Sequence, residues 1–358
     1  MNYHNLQKYG LSSRFIQEAA QYKGLYLARV AEQHHNIYKL IGEQGELQAS
    51  VSGKVAFSAQ NSSDFPAVGD WVLIDREDDQ NGKAVIKHIL ERKSVFARKA
   101  AGKANDVQII AVNIDLVFIC ISLNTDFNLR RLERYLTIAW ESMAKPVIVL
   151  TKADLCKNID FKLQEVSSVC FGTDVVVCSS MEENGYRDIC TFITPGKTVA
   201  FIGSSGVGKS TLINLLMGQN VLATGEIRKD DKGRHTTTHR QLLLLPGGGI
   251  VIDTPGMREL QLESGNLSKS FTDIEELALN CKYKDCSHTA EPGCAVKKAI
   301  EEGKLSPKRL ENFKKLQKEI GYANLNFRQL EQEKIKKMFG GKAEMKQAIR
   351  HIKNKNKR

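Results

Sequence analysis

Between about Gly24 and Leu90, apolar and polar residues alternate in short runs: GLYLARV, NIYKLIG, ELQASVSGKVAF, VGDWVLI and KAVIKHIL. The spacers NSSDFPAVGD and REDDQNGK carry the turn-forming residues between them. Period-two alternation bounded by turns predicts five strands and a small all-β module. Five short strands suit an OB-type barrel, and a small SH3-like barrel would give a similar pattern. After a basic connector, ERKSVFARKAAGKAND, the pattern changes to strands alternating with helices. LVFICISL precedes NLRRLERYLTIAWESMAK, whose Leu132, Tyr135, Leu136, Ala139 and Met143 fall on one helical face; PVIVL, DVVVC, KTVAFIG and GIVIDTPG follow. Strands of unbroken Val, Ile and Leu suit a parallel sheet buried on both faces, so this section reads as a doubly wound α/β domain. From Ser264 onward strand patterns vanish and the rest reads as helix. Ser306 and Pro307 open one, with Leu310, Phe313, Leu316 and Ile320 as its stripe and Gly321 as its stop. The expected organisation is a barrel over 1–95, an α/β domain over 96–263, and a mostly helical domain with a basic tail over 264–358.

Length and composition narrow the class. At 358 residues, 42% hydrophobic and 26% charged, the chain has enough apolar material for two or three cores. A net charge of +11 favours polyanions, and nucleic acid is the first partner to consider. The N-terminal MNYHNLQKYGLSSRF lacks an apolar leader, and runs such as LVFICISL are too short to span a bilayer, so the expectation is a soluble cytoplasmic protein with no membrane partner. Of eight cysteines, Cys120, Cys156, Cys170, Cys178 and Cys190 are scattered. The other three crowd together near the end, a pattern that suits reduced thiols and one metal site.

The segment TVAFIGSSGVGKST is a strand, a Gly-rich loop and a helix start. Gly203, Gly206 and Gly208 allow the backbone of Gly203, Ser204, Ser205, Gly206, Val207, Gly208, Lys209, Ser210 and Thr211 to wrap phosphates with its N–H groups. Lys209 neutralises the β and γ oxygens and Ser210 reaches Mg²⁺. TKAD, at Thr151, Lys152, Ala153 and Asp154, follows the strand PVIVL and so stands at the carboxyl end of a parallel strand, where ligands of open α/β sheets bind. Asp154 can accept from guanine N1–H and the exocyclic amine while Lys152 lays its stem along the base; adenine would leave the carboxylate unpaired. Thr151 stands where an Asn is more usual, and its hydroxyl offers less than an amide. Cys178 and Ser179, ending the strand VVVCSS, can lean backbone on the guanine. Asp253 of DTPG would hold Mg²⁺ through water, and the Gly256 N–H would sense the γ-phosphate. The polar loop GRHTTTHR before it can offer a Thr hydroxyl to Mg²⁺, for which Thr237 is the candidate.

In chain order these elements run base reader, CSS, phosphate loop, Thr loop, DTPG. That is the GTPase set cyclically rotated, which a compact domain with neighbouring termini tolerates without moving a site residue. With a β-barrel ahead and a Cys/His cluster behind, the chain resembles the circularly permuted GTPases, specifically the ribosome small-subunit-dependent GTPase A family of bacteria. The resemblance covers about Gly24 to Ile320. It implies an OB domain, a permuted G domain and a zinc domain, with GTP, GDP and Mg²⁺ at the site. It also implies action in late maturation of the 30S subunit, on 16S rRNA, with GTP hydrolysis stimulated by that subunit; a monomer is expected.

CKYKDCSHTAEPGC places Cys281, Cys286, His288 and Cys294 in a C-x4-C-x-H-x5-C spacing. Three thiolates and an imidazole complete a tetrahedral zinc shell with no open position, so the ion would be structural; free thiols are the plainer alternative. Beyond Asn324, Lys334, Lys336, Lys337, Lys342, Lys346, Arg350, Lys353, Lys355, Lys357 and Arg358 face few acids. They form either a solvated tail or an RNA-binding helix. Three classes compete: a ribosome-activated GTPase; a P-loop ATPase or kinase, which leaves TKAD unexplained; and an RNA-binding nucleotide switch with little hydrolysis. The last stays open because Met257 follows DTPG, where many GTPases carry a water-positioning Gln. His235, beside the Thr loop, is the nearest polar candidate for that task.

Overall fold

The computed structural model describes residues 3–34, 37–99, 107–222, 240–253 and 267–323, together with Glu344. Strands β1 (Tyr26–His34), β2 (Ile37–Gly42), β3 (Gly45–Val51), β4 (Trp71–Ile74) and β5 (Ala84–Ile89) form the first module. Strand β1 pairs antiparallel with both β2 and β4, β2 antiparallel with β3, β3 parallel with β5, and β5 antiparallel with β4. The order 1-2-3-5-4-1 closes an OB-type barrel rather than an SH3-like one. Its inward positions, among them Val30, Tyr38, Leu40, Leu47, Val72 and Ile86, make a separate core.

Two strand readings change here. ELQASVSGKVAF is strand only as far as Val51; Gly53–Ser58 is a short helix, because the Ser52 hydroxyl accepts from Val55 N–H (3.2 Å) and caps it. The basic connector hides a hairpin. Strand β6 (Val95–Lys99) pairs antiparallel with β7 (Val107–Val112), whose QIIAV had no neighbouring alternation to mark it. Two helices, His4–Lys8 and Ser13–Ala19, precede the barrel and bury Leu6 and Phe15.

The α/β section supplies β8 (Leu116–Ser122), β9 (Lys145–Thr151), β10 (Asp174–Val177), β11 (Thr198–Ile202), β12 (Gln241–Leu244) and β13 (Ile250–Asp253). Their order is β10-β9-β8-β11-β13-β12, parallel except for β12. Side chains along each apolar run alternate between two cores. Val117, Ile119, Ile148, Leu150, Ala200 and Ile202 face one side, and Phe118, Cys120, Val147, Val149, Val199 and Phe201 the other. The helix Leu129–Glu141 covers the first face with Leu132, Tyr135 and Leu136; Lys209–Met217 covers the second with Leu212 and Ile213. This is why the strands read as unbroken hydrophobic runs. Met143 leaves the predicted stripe: the helix ends at Glu141, and Met143 has φ 66° and is 75% exposed.

From β8 the chain steps outward to β9 and β10, then returns to β11 on the other side of β8. The connections leaving β8 and β11 therefore run in opposite directions, which opens a crevice at their carboxyl ends. At the far edge β12 also meets β1, with Glu32 opposite Gln241, so the barrel and the α/β sheet are one continuous sheet. Among residues 267–323 there is no strand; helices Thr272–Ala278, Ala295–Glu301 and Pro307–Ala323 pack together, with Phe271 edge-on to Phe313. The last helix buries Leu310, Phe313 and Leu316 as its stripe requires, and continues through Gly321 to Ala323 rather than stopping there. No helix among the described residues is long and apolar enough to cross a membrane.

Candidate nucleotide site and metal centre

The phosphate loop leaves β11 and enters the helix Lys209–Met217 at the mouth of the crevice. Gly203 has φ 148°, and a Cβ there would stand 2.5 Å from the Cys120 carbonyl at the end of β8, so only glycine lets the loop come this close. Gly206 (φ 76°) and Gly208 (φ 105°) take left-handed conformations that turn the intervening N–H groups inward. Lys209 is buried, and its Nζ donates to the carbonyls of Gly203 (2.9 Å) and Ser204 (2.8 Å), two of its three donors. Burial lowers its pKa. Ser210 and Thr211 follow in the first turn of the helix.

Asp253, the last residue of β13, is buried beside this loop. Burial pushes its carboxyl up to about 6 while Lys209 pulls it back. A carboxyl so desolvated gains from a cation, which fits the donor chemistry of a divalent-metal site shared with Ser210. Thr237, His235, Gly256 and Met257 lie outside the described residues.

TKAD closes the crevice from the neighbouring strand. Strand β9 ends at Thr151, whose Oγ1 donates to the Val207 carbonyl of the phosphate loop at 2.7 Å. The weaker hydroxyl thus joins the base-reading segment to the phosphate loop. Lys152 then turns through φ 57°. Ala153 N–H donates to the Cys178 carbonyl (3.2 Å), Cys178 N–H to the Leu150 carbonyl (2.8 Å), and Ser179 Oγ to Asp154 Oδ1 (2.7 Å). The Ser179 hydroxyl holds one carboxylate oxygen of Asp154 and so orients the other. The structure thus brings together Thr151 to Asp154, Cys178, Ser179, Gly203 to Thr211 and Asp253, segments far apart in sequence. Sequence reading passed over the turn after β8, where Asp126 Oδ2 accepts from Ser204 Oγ at 2.9 Å. Its one signal was an acidic residue just past the carboxyl end of a parallel strand.

The second cluster lies in the loop between the helices Thr272–Ala278 and Ala295–Glu301. One ligand atom from each of Cys281, Cys286, His288 and Cys294 lies within 4.8 Å of all the others. Cys281 Sγ stands 3.9 Å from Cys294 Sγ, and His288 Nδ1 lies 3.7 and 3.5 Å from those two sulfurs. A tetrahedron with zinc–sulfur bonds of about 2.3 Å has edges of roughly 3.7 Å, so spacing and donor set both fit zinc. His288 reaches the cluster through a left-handed turn (φ 55°), and its carbonyl accepts from Lys314 Nζ at 2.8 Å, fastening the loop to the last helix. Ser287, Thr289 and Ala290 all donate to the Glu291 carboxylate, which holds that carboxyl well below its usual range and fixes the loop's outer turn.

Comparison with known proteins agrees with this build. The RsgA GTPase family model matches residues 89–263. The small ribosomal subunit biogenesis GTPase RsgA 2 of Lactiplantibacillus plantarum is 53% identical over 343 residues, covering 96% of this chain and 97% of that protein. The RsgA 1 protein of Oceanobacillus iheyensis is 48% identical over 83% of this chain and 85% of its own length. Among solved structures, YjeQ from Thermotoga maritima superposes with a TM-score of 0.61 at 27% identity, covering 83% of this chain and 98% of that one. The circularly permuted GTPase YloQ gives 0.60 at 25% identity, covering 85% and 98%. With identity at this level over nearly its whole length and a permuted G domain between barrel and Cys/His module, the chain belongs to the RsgA GTPase family.

Proposed function

We propose that this protein binds GTP and GDP in the crevice between β8 and β11, and hydrolyses GTP on the small ribosomal subunit during its late maturation. The carrying observation is the bond from Thr151 to the Val207 carbonyl, with Asp154 held by Ser179 beside it. The segment proposed as base reader and the loop proposed as phosphate cradle, 56 positions apart in sequence at this contact, are joined in space by that hydrogen bond. In this reading Asp154 and Lys152 select guanine, Ala153, Cys178 and Ser179 back the base, and the N–H groups from Gly203 to Thr211 hold the phosphates. Lys209 neutralises charge that develops on the β and γ oxygens. Ser210, Thr237 and Asp253 would hold Mg²⁺, which when bound supplies charge neutralisation to the phosphates. Gly256 N–H would report the γ-phosphate, and His235 would orient water in place of the glutamine that Met257 replaces.

The net charge of +11 supports contact with 16S rRNA, and zinc on Cys281, Cys286, His288 and Cys294 would brace the C-terminal module. A cytoplasmic monomer fits a ribosomal partner. The relatives named for small ribosomal subunit biogenesis support that choice of partner. The test is phosphate release from GTP and from ATP, each with and without purified small subunits. GTP-selective turnover that rises with subunits is expected. ATP preference would remove the reading, and GTP binding without stimulation would favour a nucleotide switch. With subunits present, His235→Ala should lower turnover far more than GTP affinity.

A further inference from the structure

The turn that follows β8 belongs to no nucleotide motif, yet it touches the phosphate loop. It is firmly built. Asn124 Oδ1 accepts from Ser122 Oγ (2.8 Å) and from Asp126 N–H (3.0 Å), and Phe127 N–H donates to the Asn124 carbonyl (3.1 Å). Asn128 Oδ1 then caps the helix Leu129–Glu141 by accepting from Arg130 and Arg131 N–H (2.9 and 3.2 Å). Between these anchors the Asp126 carboxylate takes three bonds. Arg131 Nη1 and Nη2 reach Oδ2 and Oδ1 (2.6 and 3.0 Å), and Ser204 Oγ reaches Oδ2 (2.9 Å).

We propose that Asp126 is a positioning residue of the guanine-nucleotide site, fixing the first turn of the phosphate loop through Ser204, and that Arg131 makes this carboxylate tolerable to bound phosphates. The inference rests on the site reading given above. The Arg131 bonds, then Ser204, and the charge of Lys152 hold the carboxyl below its usual range, so it stays ionised when nucleotide arrives. An unpaired carboxylate one hydrogen bond from a phosphate cradle would repel a phosphate chain, and GTP more than GDP because GTP carries more charge. The fork of Arg131 cancels that charge while leaving Oδ2 able to hold Ser204. An ion pair this exposed, 29% for Arg131 and 45% for Asp126, adds little to folding stability. Its effect should therefore appear in nucleotide affinity and not in unfolding.

These roles give variants of opposite character. Arg131→Gln leaves the carboxylate unneutralised and should weaken the GTP complex about tenfold and the GDP complex less, the gap closing as salt screens it. Asp126→Ala and Ser204→Ala each remove one end of the same bond and, at a salt concentration that screens the freed Arg131 charge, should each weaken binding about threefold, and their combination no further. Removing the offending charge as well, in Asp126→Ala/Arg131→Gln, should bring affinity back to that of Ser204→Ala, which lacks the same bond but carries no unpaired charge. The measurement is titration of the full-length protein with fluorescent GDP and a non-hydrolysable GTP analogue in excess Mg²⁺, at low and high salt, with unfolding midpoints as control. The recovery in the double variant is the decisive sign, since a folding defect from losing Arg131 would not be relieved by losing its partner. A double variant that binds no better than Arg131→Gln, or effects of Asp126→Ala and Ser204→Ala that add, overturns the proposal. Parental protein that binds neither nucleotide overturns the site reading, and this inference with it.

Discussion

The G domain is flanked by two modules held by different physics. The barrel is joined by backbone. Strand β1 extends the sheet beside β12, Val112 N–H donates to the Val68 carbonyl (3.2 Å), and Asn113 Nδ2 donates to the Gly69 carbonyl (3.1 Å). A Cβ on Gly69 would lie 2.3 Å from the Val112 carbonyl, so the two segments approach as closely as glycine permits. Arg29 seals this junction. Fully buried, it stacks on Trp71, donates to Thr198 Oγ1 (2.9 Å) and to the Tyr9 carbonyl, and burial lowers its pKa to about 10. The C-terminal module is joined by side chains. Glu133, wholly buried on the helix Leu129–Glu141, accepts from Arg309 (2.8 Å), Arg130 (2.7 Å) and Asn312, while Arg309 also grips Asp273. Backbone ladders fix a register and cannot slide by small steps, whereas a side-chain network can exchange partners. The barrel should therefore move with the G domain as one body, and relative motion should concentrate at the Glu133–Arg309 junction.

The contrast can be broken at either end. If the Cys/His cluster holds zinc as proposed, a chelator should have the largest effect, because structural zinc contributes on the order of 10 kcal/mol to small modules. Hydrogen exchange should then rise across 272–301 while the barrel strands stay protected. Equal loss of protection in both would abolish the distinction. Glu133→Ala should follow, at about 3–5 kcal/mol in denaturant unfolding, since it leaves buried donors of Arg309 and Asn312 unpaired even though Asp273 still holds Arg309. It should release helix Pro307–Ala323 before the barrel. Gly69→Ala meets both a left-handed φ of 98° and a backbone oxygen, and should cost about 2–4 kcal/mol. Here the barrel and the G domain should lose stability together, in a single transition. Arg134→Ala breaks a pair with Glu319 whose two side chains are about a quarter exposed and should cost about 1 kcal/mol, marking the limit of what the side-chain dock gains from its rim.

How much of this was legible in sequence depended on whether the signal was local. The parallel strands were legible because unbroken Val/Ile/Leu runs have few other uses, and the phosphate loop because its glycines are required by backbone conformation, as at Gly206 and Gly208. The Cys/His cluster was legible because all four residues sit in one loop. Helix Gly53–Ser58 was not, since GKVAF has strand-like residues and only the Ser52 cap decides otherwise. Hairpin β6–β7 was masked by the basic residues of its first strand. Asp126 was marked only by its place past the carboxyl end of β8, and Glu133 by nothing local. Their partners, Ser204 and Arg309, lie 78 and 176 positions away, and nothing in a local pattern announces a contact at that range. The role of Thr151 was underestimated for the same reason: its acceptor, the Val207 carbonyl, lies 56 positions on.

On the proposed reading, a rotated motif order assembles one guanine-specific site with Asp154 as its reader. The most direct measurement compares turnover of GTP and of xanthosine triphosphate by the parental protein and by Asp154→Asn, in the presence of small ribosomal subunits. Xanthine carries a carbonyl where guanine carries its amine, so an amide at position 154 has a donor for it and loses the acceptor guanine needs. Asp154→Asn should lose most GTP turnover and gain xanthosine triphosphate turnover, exchanging the preference by at least about a hundredfold. A variant that keeps the parental preference for GTP would contradict it, and would place the base somewhere other than the crevice between β8 and β11.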